Sequence, residues 1–317
     1  MGKELEVMQY RLHLILAISA FAAIHAASGV AGGPLPQGKH KGTEADVNAI
    51  GKRNLGQGTN FYSMEKERQL GKQLAQEVER SSKILDDAAV TDYINRLAHN
   101  VAHNSDARLP IMAKVIIADQ PNTIALPGGY LFINTGLILQ AQGEAGLAAA
   151  LAHGIAHVAL RSATKQATKG QLIQLASIAA MIFLPYGWYG IYEGMNLAIP
   201  LTFLKFSRDA QLAADYFGVQ YLYKTGYAPE EYVQLLERTG QYFPASSNIP
   251  KAFSAYPSIP DRVKPIREEI AQILPPRDDA IVSTSEFDMV LEHLRARLAQ
   301  KPADRDAAKP HLRRAKQ

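Results

Sequence analysis

The stretch from Glu144 to Lys169 constrains this chain's fold more than any other. It is rich in alanine and leucine and reads as one long helix. Within it the run Leu151-Ala-His153-Gly154-Ile-Ala-His157-Val-Ala-Leu160 sets two histidines four positions apart. Residues at that spacing project from the same helix face, so the two imidazoles stand about one turn apart and are able to share a zinc ion. Spacing alone does not make a metal site, because His99 and His103 repeat it elsewhere. That second pair falls at the polar end of another expected helix, beside Asn104, Ser105 and Asp106, where cationic histidines suit the C-terminal dipole.

Composition narrows the classes. With 317 residues, 47% hydrophobic and 20% charged, the chain is globular, too apolar for wholesale disorder and without the long uninterrupted apolar runs of a polytopic membrane protein. It has no cysteine, which removes disulfide scaffolds, thiolate zinc sites, cysteine nucleophiles and a lipoprotein anchor. The net charge of +4 is accounted for by residues 299–317, which carry six Lys/Arg against two Asp. The body is therefore neutral, and no nucleic-acid face is expected.

The first residues, 1–31, read as a secretory leader: charged up to Arg11, apolar from Leu12 to Ala31, with small residues at its end. A periplasmic or secreted body is expected, the alternative being an inner-membrane anchor through an uncleaved leader. Residues 32–63 read as a polar linker. Helices are expected over Met64–Ser81 and Val90–His103, strands near Ile111–Ala118, Asn122–Leu126 and Tyr130–Asn134, with a turn at Pro127-Gly128-Gly129. Helices are also expected near Ser207–Lys224, Pro229–Arg238, Pro260–Ile273 and Glu286–Leu298. Residues 171–204 are apolar but broken by Pro185, Gly187, Gly190, Glu193, Gly194 and Pro200, which suggests a helical hairpin and a peripheral membrane contact. The body is placed at 64–274, a C-terminal extension at 275–298 and a basic disordered tail at 299–317.

Several motifs in order carry a resemblance. These are Asn122-Thr-Ile-Ala-Leu-Pro-Gly-Gly129, Phe132–Leu137, the His153 helix, Ser207-Arg-Asp-Ala-Gln-Leu-Ala-Ala-Asp215-Tyr-Phe-Gly218 and Phe253-Ser-Ala-Tyr-Pro-Ser-Ile-Pro-Asp261-Arg262. Residues 64–274 resemble the HtpX-like and CAAX-prenyl-protease-like zinc metallopeptidases, metallopeptidase family 48, and a bacterial exported member in particular. The resemblance implies a zincin-like α+β fold, mainly helical with a small antiparallel sheet, and Zn2+ held by His153 and His157. It implies a third ligand at Gln211 and, behind a ligating histidine, an orienting carboxylate at Asp215. It also implies extended polypeptide lying along the Asn122–Asn134 edge, with Asn122, Pro127, Gly128 and Gly129 as substrate-binding residues.

The departures from that family pattern are chemical. The family places a glutamate between the two histidines as general base; here the position is Gly154, which has no group to accept a proton. Its third ligand is a glutamate; Gln211 offers a neutral amide and one negative charge fewer to a dication. Tyr256 stands where related chains often have histidine, and its phenol is still able to donate to substrate or oxyanion. Gly146 and Ser162 also depart from common acidic and histidine residues. Glu144, about 280° around the helix from position 154, is a poor replacement base, and Glu193 reaches a cleft only if its hairpin folds over it. Two readings follow: an exported family member with impaired catalysis that keeps polypeptide binding, or an active zinc metalloendopeptidase that hydrolyses unfolded or misassembled envelope proteins. A plainer alternative is two buried helix histidines in an inherited scaffold.

Overall fold

The computed structural model describes residues 44–171, 206–240 and 258–299. The leader, the hairpin expected at 171–204 beyond its first residue, Tyr256 and the basic tail after Ala299 lie outside the described residues.

Capping sets the starts of the helices. Ser63 accepts a hydrogen bond from Lys66 N at the head of α1 (Met64–Ser81), and Asp87 does the same for Val90 N at the head of α2 (Ala88–His103). In α2 the buried residues Val90, Ile94, Leu97 and Val101 form one stripe, as an amphipathic helix requires. Three strands follow: β1 (Met112–Ile116), β2 (Thr123–Ala125) and β3 (Tyr130–Asn134), in spatial order β1-β3-β2. The pairing corrects the expectation of an antiparallel sheet: β2 runs antiparallel to β3, but β1 and β3 are parallel. After β1 the chain crosses to the far edge, reverses into β2, and reverses again at Pro127–Gly129 so that β3 slots into the centre in β1's direction. Gly128 and Gly129 take φ of 78° and 92° in that turn, the left-handed region that glycine enters without strain.

Strand β3 is buried on both faces. Leu131 and Ile133 belong to the main core, while Phe132 packs with Ala75 and Val78 of α1 in a smaller one. A short helix α3 (Thr135–Gln140) leads to α4 (Glu144–Ala159), which is buried nearly along its whole length. The single long helix expected over Glu144–Lys169 is broken at Leu160–Arg161, and a separate helix, α5, covers 162–171. Arg161 adopts φ of 54°, and its guanidinium donates from Nε to buried Glu67 at 2.6 Å and from Nη2 to the Tyr62 carbonyl at 2.5 Å. That ion pair with α1 outweighs a left-handed residue's cost of about 1–2 kcal/mol.

The remaining helices are α6 (Arg208–Lys224, capped by Ser207), α7 (Glu230–Gly240), α8 (Ile259–Gln272, capped by Ser258) and α9 (Ser285–Ala299). α4 packs chiefly on α6 and also meets α7, α2 and β2. Residues at both ends are built into this body. Val47 and Ile50, in the stretch read as a linker, are buried, and Arg53 pairs with Asp106 at 2.7 Å. In the stretch read as an extension, Phe287, Leu291 and Leu294 of α9 belong to the main core. Among the described residues no helix is long and apolar enough to cross a membrane.

Candidate functional site

The two histidines of α4 lie at its contact with α6. Their rings meet edge to face, with centroids 4.8 Å apart. The close approach of the two helices depends on Gly218, where a Cβ would lie 2.9 Å from the Tyr232 hydroxyl and 3.3 Å from His153 Cα. His153 Nε2 stands 3.0 Å from Gln211 Oε1, and its Nδ1 is 3.0 Å from Asp215 Oδ1 and 2.9 Å from the Tyr232 hydroxyl. The structure thus brings together His153, His157, Gln211 and Asp215.

Asp215 is held tightly. Arg262, from the start of α8, donates Nε to Oδ2 at 2.7 Å and Nη2 to Oδ1 at 2.6 Å, and Tyr232 of α7 donates its hydroxyl to Oδ1 at 3.0 Å. Burial would raise the carboxyl pKa, but the Arg262 charge and hydrogen bonds, with His153 beside it, hold it well below the usual carboxylate range. Burial and the Asp215 charge push the Tyr232 phenol in the opposite direction, well above its ordinary value. The aspartate is therefore an anion, already matched by a guanidinium, that orients the His153 ring.

His157 is different. It is buried, its ring stacks on Phe206 with centroids 3.8 Å apart, and neither ring nitrogen makes a hydrogen bond among the described residues. Burial first, then the neighbouring His153, lowers its pKa well below the ordinary histidine value, so it is neutral.

Position 154 faces the sheet. A Cβ built there would meet Leu131 Cδ2 at 3.1 Å and Thr123 Cγ2 at 3.5 Å, so a side chain at this point would lie beneath β2. The Thr123 hydroxyl is buried and has no hydrogen-bond partner among the described residues. Among the described residues β2 is the open edge of the sheet: the opposite edge, β1, is bridged by Ile84, with Leu85 N donating to the Val115 carbonyl and Ile117 N to the Lys83 carbonyl. Asn122 lies at the start of this open edge and accepts from Asn134 N at 3.0 Å. Pro127, Gly128 and Gly129 lie elsewhere, buried under α1, where a Cβ on Gly71 would collide with the Pro127 carbonyl at 1.9 Å. A Cβ on Gly128 would lie 3.1 Å from Arg68 Cα and one on Gly129 2.1 Å from the Pro110 carbonyl oxygen, so both glycines serve close backbone contacts.

One other carboxylate, Glu144, is settled by its partners. Glu144 accepts hydroxyl hydrogen bonds from Tyr93 at 2.7 Å, Tyr227 at 2.6 Å and Thr284 at 2.5 Å, which ties α4 to α2, to the loop before α7 and to the segment before α9. His99 and His103 are exposed on α2.

Zinc, which the family resemblance implies, fits only part of this set. The unpartnered nitrogens of His157 beside His153 suit two ligand positions. The third position is an amide already facing His153, Asp215 is committed to Arg262, and no group of three His, Cys, Asp or Glu able to hold a metal exists among the described residues. The residues present therefore do not fit the family's zinc centre. Tyr232, Arg262 and Phe206 were not read as site residues from sequence. A buried aspartate demands a counter-ion, which points to the arginine of Asp261-Arg262; nothing in the sequence marks the tyrosine.

The model of peptidase family M48 matches residues 87–270. The chain is similar to a putative beta-barrel assembly-enhancing protease of Vibrio cholerae, 28% identical over 200 residues, which is 61% of this chain and 41% of that protein. It is similar to the beta-barrel assembly-enhancing protease of Escherichia coli, 25% identical over 67% of this chain and 45% of that one. It is also similar to the mitochondrial metalloendopeptidase OMA1 of Schizosaccharomyces pombe, 32% identical over 56% of this chain and 52% of that one. The chain thus spans about half the length of these relatives.

Proposed function

We propose that this chain, which belongs to peptidase family M48, binds polypeptide along the open edge of β2 and is impaired in cutting it. The observation that carries the reading is the pairing of Gly154 and Gln211 within otherwise ordered surroundings. The orienting network of Asp215, Arg262 and Tyr232 is complete around His153, while the proton acceptor and the anionic ligand are replaced. Loss of a general base costs a factor of about 10² to 10⁴ in rate. Exchange of a carboxylate for an amide removes the charge that holds a dication between two neutral imidazoles.

Binding needs none of the lost groups. An extended segment added to β2 would take up the strand's outward backbone groups and pass over Thr123, whose hydroxyl has no partner among the described residues. The names of the bacterial relatives suggest clients connected with beta-barrel assembly, and the apolar leader suggests export to the periplasm. A second reading, a working zinc metalloendopeptidase of such clients, is favoured by the unpartnered nitrogens of His157.

The test is to incubate the purified protein with an unfolded polypeptide and follow binding and cleavage, with and without a chelator. The expected result is binding unaffected by the chelator, with no chelator-sensitive cleavage. Chelator-sensitive cleavage that disappears in His153→Ala establishes the second reading instead.

A further inference from the structure

The hydrogen bonds around His153 decide which end of the Gln211 amide suits its ring. Tyr232 has one hydroxyl proton and donates it to Asp215 Oδ1 at 3.0 Å. His153 Nδ1 stands 3.0 Å from that same oxygen and 2.9 Å from the Tyr232 oxygen, so it faces an anion and a hydroxyl lone pair. An Nδ1–H satisfies both. A lone pair there would sit against a carboxylate that Arg262 grips at two points. A second proton, on Nε2, would add a cation beside the guanidinium that already matches Asp215. The ring is therefore neutral, with its proton on Nδ1 and an accepting lone pair on Nε2. Gln211 meets that lone pair at 3.0 Å, in a buried position. An amide oxygen there sets two acceptors face to face, which costs about 1–3 kcal/mol where water is excluded. Turned about its last bond, the same amide presents its NH2 in the place of Oε1 and donates.

We propose that Gln211 donates its amide N–H to His153 Nε2 and so occupies, by a hydrogen bond within the chain, the lone pair that a metal would need. This rests on the reading of an impaired centre and adds a second cause to it. Against the family's glutamate, glutamine removes an anion and also installs a competitor, because a carboxylate has no proton to give and an amide has two. Arg262 of α8, Asp215 of α6, His153 of α4 and Gln211 of α6 then form one chain of hydrogen bonds that ties three helices together without an ion. The consequence is opposite to that of a weak third ligand. Removing a ligand weakens metal binding, whereas removing a competitor strengthens it.

Two measurements on the full chain test this. Nitrogen NMR of the histidine-labelled protein, without added metal and at a pH well above the ordinary histidine value of about 6.5, reports which ring nitrogen of His153 carries a proton. The signal is assigned by its loss in His153→Ala. The expected result is a protonated Nδ1 and an unprotonated Nε2; a proton on Nε2, alone or with one on Nδ1, overturns the proposal. The second measurement is titration of the natural chain and of Gln211→Ala with zinc alone. Gln211→Ala is expected to bind about fivefold more tightly or better, the equivalent of one neutral hydrogen bond released. Equal or weaker binding by the variant overturns the proposal. An Nε2–H ring leaves the impaired centre standing, whereas chelator-sensitive cleavage removes that reading whichever nitrogen is protonated.

Discussion

Asp215 shows how much of this site depends on single residues. Its two oxygens take Arg262 at two points and Tyr232 and His153 besides, in a position that is 2% exposed. Replacing Asp215 by alanine leaves a guanidinium buried without a counter-ion, a loss of about 3–5 kcal/mol. Denaturant unfolding should show this as a lowered midpoint at unchanged slope; a loss under about 1 kcal/mol contradicts the role given to the pair. Glu269 behaves in the opposite sense. It is buried with one donor, Gln220 Nε2 at 2.8 Å, and burial raises its pKa well above 4.5. Above pH 4.5 the folded state then holds a proton that the unfolded state has released, so this residue's contribution falls as pH rises towards its folded pKa. Glu269→Gln should therefore be progressively more stable than the natural chain from pH 4.5 upward, measured as the difference in unfolding free energy at each pH. A difference that does not grow with pH contradicts this. At this scale the sequence was legible where an element fixes the spacing, as for His153 with His157, while Gln211 and Asp215 were reached through the family resemblance. It was silent on Tyr232 and Phe206, which reach the site only through the packing of separate elements.

Among the elements, the break between α4 and α5 is the instructive departure. Alanine and leucine continue through Leu160, and nothing local stops the helix; the stop is made by Arg161, whose side chain is required by Glu67 on α1. Arg161→Gly removes the left-handed strain of about 1–2 kcal/mol but leaves the Glu67 carboxylate buried with only Thr164 at 3.3 Å. Net destabilisation of about 2 kcal/mol or more is expected, read as a fall in unfolding free energy; stabilisation contradicts the assignment. The sheet departs for a similar reason. Its three strands are visible as apolar runs, but the insertion of β3 between the other two, which makes one pairing parallel, depends on the crossover rather than on any strand's own residues. The helix starts expected near Met64, Ser207 and Pro260 fall where Ser63, Ser207 and Ser258 cap α1, α6 and α8, a cap being a local event.

At the largest scale, the described residues form one helical body with the site helix at its centre and segments before and after it in sequence closing on it. α9 belongs to that closure: Thr284 bonds Glu144 at the head of α4, and Phe287 is 1% exposed. Phe287→Ala should cost about 3–5 kcal/mol, measured by denaturant unfolding, and a change below about 1 kcal/mol would assign α9 to the periphery. This support is independent of positions 154 and 211, so the change of reacting groups proposed there would leave the scaffold standing. The most direct measurement is zinc affinity, by competition with a chromophoric chelator, for the natural chain and for Gln211→Glu. The account predicts well under one zinc per natural chain and a gain of about 10-fold to 100-fold or more in affinity once the carboxylate is restored. One tightly held zinc ion in the natural chain, unchanged by the substitution, contradicts it.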